Sequence, residues 1–252
     1  MTTDLQKASL LKRFAAGLMD FFALLIVAVG FMVLLNGLLG YEQAHDNLRQ
    51  GYDKYETAYG VDFDIDQSQF DAMTKEEQDN FNAAYDALVA DDEVMGAYNL
   101  VLNLTILTIT FSLLLGFVVL EWIVPLLLKN GQTLGKKIFG LCLMRGDGVK
   151  LNAMQLFLRT VLGKFTIETM IPVLICIMIF FNTIGIVGML ILGLILLLQI
   201  ILMISTHTNS CIHDLLAKTV AVDMQSQLIF ETEEELIAYK NKVHAEKVAR
   251  KT

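Results

Sequence analysis

The sequence predicts an all-α membrane protein: four transmembrane helices with the N- and C-termini cytoplasmic, a small extracytoplasmic helical cap, and a short cytoplasmic β-hairpin or sheet. Three observations predict it. First, 55% of the 252 residues are hydrophobic and mean hydropathy is +0.55, whereas soluble domains run about 45–50% apolar even with glycine counted. Second, the apolar residues gather into three long stretches, 14–40, 99–128 and 167–204. Third, charge is segregated. Residues 41–98 hold 15 acidic and three basic side chains, −12 by themselves, so a chain of net −8 leaves +4 to the remainder. This composition excludes a soluble globular enzyme and a disordered chain. A pI near 5.0 argues against a nucleic-acid partner, which calls for a basic face.

Taken in order, residues 1–13 are a cytoplasmic N-terminus. Lys7, Lys12 and Arg13 precede an apolar run as in a signal peptide, but the run of 27 residues exceeds an h-region of about 7–15. Asp20 interrupts it and no small-residue cleavage site follows, so 14–40 reads as a retained first span. The acidic insert 41–98 is bracketed by Tyr41 and Tyr98, as suits interfacial aromatics. Within it, residues 41–59 have helical character, with Tyr52, Tyr55 and Tyr59 on one face. Thr74 and Glu77 form a capping box ahead of a helix over about 75–90, striped by Phe81, Tyr85 and Leu88. Span two is 99–128.

The loop 129–155 carries Lys129, Lys136, Lys137, Arg145 and Lys150 against Asp147. Apolar residues on both sides of Asp147-Gly148 predict a β-hairpin from 138–144 and 149–151. Asn152 and Gln155 cap the next helix. The third apolar stretch has 38 residues. At ~1.5 Å per residue one helix of that length would reach roughly 57 Å, against ~30 Å of hydrocarbon. It therefore crosses twice, as span three (156–181) and span four (184–205), turning at Asn182-Thr183 ahead of Gly185 and Gly188. The tail, 206–252, adds a third short strand at 219–223 and a charged helix over about 231–251. Basic residues mark the N-terminus, the middle loop and the tail as cytoplasmic, in the plasma membrane. Two termini on one side require an even number of spans, which gives four by a separate route.

An ionisable side chain within a bilayer costs ~2.5–3.5 kcal/mol on insertion scales and is a functional candidate by default. Asp20 lies seven residues past Arg13, within about 20° of the same helix face and roughly 10 Å deeper. It must be protonated, paired with a cation, or open to water. Glu121 lies at a similar depth near the end of span two, and Pro125 frees its carbonyl as an extra ligand. Asn36, Asn103, Thr105, Thr108 and Thr110 extend a polar path. Arg159, Lys164 and Glu168 set the interface at the start of span three, with Arg159 a countercharge for Asp20. Asp214 sits i,i+4 to Lys218, a favourable helical pair. The competing reading of these charges is a structural clamp between helices.

Other signals are weaker. Cys142, Cys176 and Cys211 show no C-x-x-C spacing and read as packing residues. His207 and His213 are six apart, wrong for a metal pair on one helix face. Asp62, Asp64 and Asp66 begin like a calcium loop, but Gln67 replaces the glycine and Met73 the terminal carboxylate, which excludes an EF-hand. The segment from Gly131 to Lys137 looks faintly like a phosphate loop, but a strand is expected after it. No nucleophile–base motif is visible, so neither a cofactor nor an enzyme activity is predicted.

Three segments together resemble one family: Lys12-Arg13-Phe14-Ala15-Ala16-Gly17-Leu18-Met19-Asp20; Gly131-Gln132-Thr133-Leu134-Gly135-Lys136-Lys137-Ile138; and His213-Asp214-Leu215-Leu216-Ala217-Lys218-Thr219-Val220-Ala221-Val222. They resemble the RDD family of bacterial membrane proteins, which is named for one arginine and two aspartates. The resemblance covers roughly 8–40 and 99–224 and assigns those roles to Arg13, Asp20 and Asp214. Nothing carries over to the 41–98 insert, which is longer than the family pattern. Lys218 stands where usual members have glycine. The resemblance implies transport, with cation/proton antiport proposed for some members.

Two functions follow as expectations. One is a multipass plasma-membrane protein moving protons or small monovalent cations, with Asp20 titrating, Glu121 helping and Arg13 or Arg159 as countercharge. Four spans are few for a transporter, so this reading expects a homodimer. The other is a non-transporting scaffold or regulator, whose acidic outer cap binds a protein partner while its Arg and Asp residues act as clamps.

Overall fold

A computed structural model describes residues 7–128, 130–180 and 183–249. Asn182, in the expected turn, and the basic residues Lys129, Arg250 and Lys251 lie outside the described residues. Four helices are long and apolar enough to cross a membrane: α1 (Leu10–Leu39), α5 (Asp92–Leu127), α7 (Ala153–Phe180) and α8 (Gly185–Ser205). Only 6–28% of each most apolar window is buried within the protein. In water that would leave long apolar faces uncovered, whereas hydrocarbon solvates them. The chain is a membrane protein with four candidate spans. Two starts fall earlier than the hydropathy suggests. Leu10 opens α1, and Asp92 and Glu93 fill the first turn of α5, where carboxylates favour the positive end of the helix dipole.

The chain divides into two units, one of Val29–Ser112 and one built from the chain up to Ala28 and from Leu113 onward. Val29–Ser112 contains the acidic insert. Its helices are α2 (Tyr41–Tyr59), α3 (Gln67–Asp71) and α4 (Lys75–Val89). Thr74 and Glu77 form the expected capping box, and Asp66 with Gln69 forms a second that opens the short α3. Asp62 accepts the Asp64 amide at 2.8 Å, so these aspartates cap turns. Phe81 meets Phe63 and Phe70 edge-on, with centroids 5.4 Å away in both cases. Leu88 and Ala84 are buried, but Tyr85 is 54% exposed, so Ala84 rather than Tyr85 completes the packed stripe. Lys54 and Tyr55 both donate to Asp91 Oδ2, at 2.9 and 2.8 Å, tying α2 to the start of α5.

In the other unit, β1 (Leu141–Arg145) pairs antiparallel with β2 (Thr219–Asp223), Leu143 opposite Ala221. The predicted hairpin is corrected. Ile138 ends a short helix, α6 (Leu134–Ile138), because Thr133 Oγ1 accepts the Lys136 amide at 3.3 Å and caps it. Residues 149–151 form no strand. Val149 and Lys150 make isolated bridges to Phe230 and Met144. Asn152 caps α7 through Gln155 as expected. The last helices are α9 (Ile212–Ala217) and α10 (Glu233–Ala249). Two membrane helices contain π-helical register, Val118–Ile123 in α5 and Leu158–Met170 in α7. Hydrogen bonding to i−5 widens each turn by about one residue and changes which side chains share a face.

Candidate functional site

The deepest charge is Asp214, whose side chain is 0% exposed. Arg13 Nη2 donates to its Oδ2 at 2.6 Å. Arg159 donates to its Oδ1 through Nε at 3.1 Å and Nη2 at 2.9 Å. Thr219 adds a hydroxyl at 3.3 Å. A carboxylate lying in the first turn of α9 thus receives guanidiniums from α1 and α7. Burial opposes its ionisation, and the charges of His213, Arg159 and Arg13 outweigh burial, holding its carboxyl well below the usual range. Burial pushes His213 itself below its ordinary value, so near neutral pH the two arginines carry the effect.

Asp20 sits on the buried stripe of α1, Ala16–Asp20–Leu24–Ala28, at i,i+4 spacing. Thr133 donates its hydroxyl to Asp20 Oδ2 at 2.5 Å, and the Gly135 amide donates to Oδ1 at 2.7 Å. Lys136 Nζ stands 3.6 Å from Oδ2. The carboxylate therefore occupies the N-terminus of α6. Small residues make this approach fit: a Cβ on Gly135 would penetrate the Ala16 carbonyl. Lys136 is only 7% exposed. Burial, with the nearby charges of Lys164 and Arg159, lowers its pKa to about 8 against the opposing pull of Glu121 and Asp20.

Glu121 lies in the π segment of α5. Lys164 donates to its Oε1 at 2.5 Å, while its buried Oε2 has no partner among the described residues. Pro125 lacks the amide that would reach the Glu121 carbonyl, and the Thr160 hydroxyl donates to that oxygen at 2.9 Å instead. On α7 the π register stacks Arg159, Gly163, Lys164 and Glu168 along one side. A Cβ on Gly163 would lie 2.5 Å from His213 Cβ, so α9 rests directly on that turn. Glu168 then accepts the His213 amide at 3.0 Å and pairs with its Nδ1 at 2.6 Å.

The profile of the RDD family matches residues 7–218. The chain belongs to the RDD family. No curated protein and no solved structure matches it.

Of Arg13, Asp20 and Asp214, Arg13 and Asp214 meet, and Asp20 does not join them. Two sequence expectations are thereby corrected. Neither Arg13 nor Arg159 is the countercharge of Asp20, because both guanidiniums are committed to Asp214. Lys218 is not the ion-pair partner of Asp214 either. It ends α9 in left-handed backbone at φ 54°, a conformation glycine adopts freely.

The sequence did not tie Thr133, Gly135 and Lys136 to Asp20: they fall in the 131–137 segment weighed as a phosphate loop, and a strand was expected from 138, where α6 ends. The usable signal was Thr133 three residues ahead of Lys136, an N-cap spacing. The polar path is not assembled as expected. Asn36 Oδ1 and Thr108 Oγ1 are buried without partners among the described residues, but Asn103 is exposed. Cys211, His213 and Asp214 place ligand atoms within 4.8 Å of one another, yet both oxygens of Asp214 face guanidiniums, so a metal ion does not suit this group. Cys142 is buried and its thiol is pushed up by burial to about 11, as befits a packing residue.

Proposed function

We propose that this RDD protein exchanges protons for small monovalent cations across the plasma membrane, and that Asp20, Lys136 and Glu121 form the exchange point. The observation that supports this reading is a buried ammonium, Lys136, set against Asp20 at 3.6 Å and within the field of Glu121. While Lys136 holds its proton, the two carboxylates share its charge. Once the proton leaves, they are short of one positive charge in a low-dielectric site. A dehydrated monovalent cation restores the balance. A Lys136 pKa of about 8 brings that release within reach of ordinary pH. Arg13 and Arg159 take no part in the exchange and hold Asp214. Both termini are cytoplasmic in this reading, and the working form is a homodimer.

The test is ion flux in proteoliposomes. Wild type is expected to couple proton movement to at least one monovalent cation, and Asp20→Asn to abolish that coupling. Wild type without flux for any monovalent cation overturns the reading.

One observation favours the second reading, a non-transporting scaffold or regulator that offers its acidic outer segment to a protein partner. Both oxygens of Asp20 already accept hydrogen bonds from residues of the α6 cap, as a clamp requires. It predicts that Asp20→Asn lowers thermal stability and leaves flux unchanged, and that deleting residues 42–97 loses the partner.

A further inference from the structure

A cavity of about 330 Å³ opens among α1, α6, α7 and α9, at the small end of the ~300–1,000 Å³ typical of ligand sites. Its wall carries Arg13, Lys136, Arg159 and Lys164 and no carboxylate. The acids that balance these cations, Asp214, Asp20 and Glu121, stand behind them. Donors remain to spare. Arg159 is 2% exposed, and its Nη1 is buried without a partner among the described residues. An unpaired guanidinium nitrogen costs free energy wherever water is excluded, and an anion oxygen would satisfy it. Lys164 spends one hydrogen bond on Glu121, while an ammonium has three to give.

Apart from His213 and Cys211, the rest of the wall is apolar. Phe14 and Leu18 of α1, 67% and 46% exposed, join Met203 of α8 at the cavity. A free inorganic anion has no use for such a lining, but an acyl chain does. The cavity also lies near the starts of α1 and α7 and the end of α8, and the ends of membrane helices lie where headgroups meet hydrocarbon. Basic pockets between membrane helices are a recurrent form of lipid recognition.

We propose that this cavity binds one anionic phospholipid, its phosphate held by Arg159, Arg13, Lys136 and Lys164 and its first acyl segment laid over Phe14, Leu18 and Met203. This goes beyond the exchange reading and does not depend on ion flux. The cavity has a point at which it can be filled without touching a charge. A Cβ added at Gly17 meets nothing within 4 Å, so Gly17→Leu inserts a side chain into open space and raises helix propensity.

The experiment is native mass spectrometry of the full chain released from membranes that mix anionic and zwitterionic phospholipids of identical acyl chains. Wild type is expected to retain one anionic lipid in preference to the zwitterionic one. Gly17→Leu is expected to lose that preference at unchanged thermal stability. The double variant Lys164→Gln/Glu121→Gln, which removes a wall cation together with its own countercharge, should weaken the preference by about fivefold. Equal retention of both lipids overturns the proposal, and so does undiminished retention in both variants. Stabilisation by inorganic phosphate alone, equal to that given by the anionic lipid, overturns the lipid as the source of the anion.

Discussion

Replacing Asp214 by Asn keeps the shape of the side chain and removes the charge on which Arg13 and Arg159 converge. Asp214 is 0% exposed and Arg159 2%, so neither charge left behind reaches water easily. Removing one member of a buried ion pair typically costs about 3–5 kcal/mol, because the survivor is stranded. In a chain of this size each kcal/mol moves Tm by roughly 2–4 °C, so Asp214→Asn should melt some 6–20 °C below wild type. The single tryptophan, Trp122, packs edge-on against Phe157 of α7 with centroids 5.5 Å apart. It therefore reports loss of the α5–α7 contact by fluorescence in detergent micelles.

The pH dependence follows from the depressed carboxyl of Asp214. A group whose folded pKa is lowered contributes stability that is fully present above its unfolded value, about 3.9. That contribution is lost as pH falls through the folded value. The deficit of Asp214→Asn should thus be the same at pH 6 and pH 8. Combining Asp214→Leu with Arg159→Met and Arg13→Met should return part of the loss, since apolar side chains of similar volume avoid the desolvation of all three charges. An Asp214→Asn protein that melts within about 2 °C of wild type refutes the claim that this clamp holds the bundle together.

Further tests probe separate parts of the fold. Lys136 releases its proton at about 8 when folded against 10.5 normally, so above pH 8 the unfolded chain binds more protons and stability should rise with pH. The gain should reach roughly 3 kcal/mol by the upper end of that window, and Lys136→Met should flatten the rise in a melting series. Lys218→Gly relieves left-handed backbone at the end of α9 and should raise stability by about 0.5–1 kcal/mol, read from Tm; a loss would show that the Lys218 side chain matters more than its backbone. Thr74→Ala removes the cap of α4 and should cost about 1 kcal/mol, measured by hydrogen exchange confined to α4. Cys142, buried and with its thiol near 11, should resist alkylation at pH 7 until the chain is unfolded.

The spans were legible because hydrophobicity and the charge of their flanks are local quantities. So were α2 and α4, since the Thr74–Glu77 box spans four residues and the tyrosines of α2 recur at helical spacing along one segment. The charge network was only half legible. Asp20, Glu121, Arg159 and Asp214 could be picked out one by one, because each stands against an apolar background. Their pairing could not. Arg13 and Asp214 are 201 residues apart in sequence, and Asp20 and Thr133 are 113 apart. No periodicity connects such distances.

Register hid the rest. With 3.6 residues per turn, Lys164 would stand about 140° around the helix from Arg159, too far for both to face one neighbour. The π register of Leu158–Met170 brings them onto one side. Arg159 then reaches Asp214 of α9 while Lys164 reaches Glu121 of α5. A regular helix would have turned one of these cations toward lipid, where it would have to snorkel and leave an acid uncompensated. The wide turns also bring Gly163 against His213, which lets α9 approach closely enough for Asp214 to meet both arginines. Sequence and function thus meet at one physical point. The widened helix aims Arg159 and Lys164 at separate acids, and both cations, with Arg13 of α1 and Lys136 of α6, line one cavity.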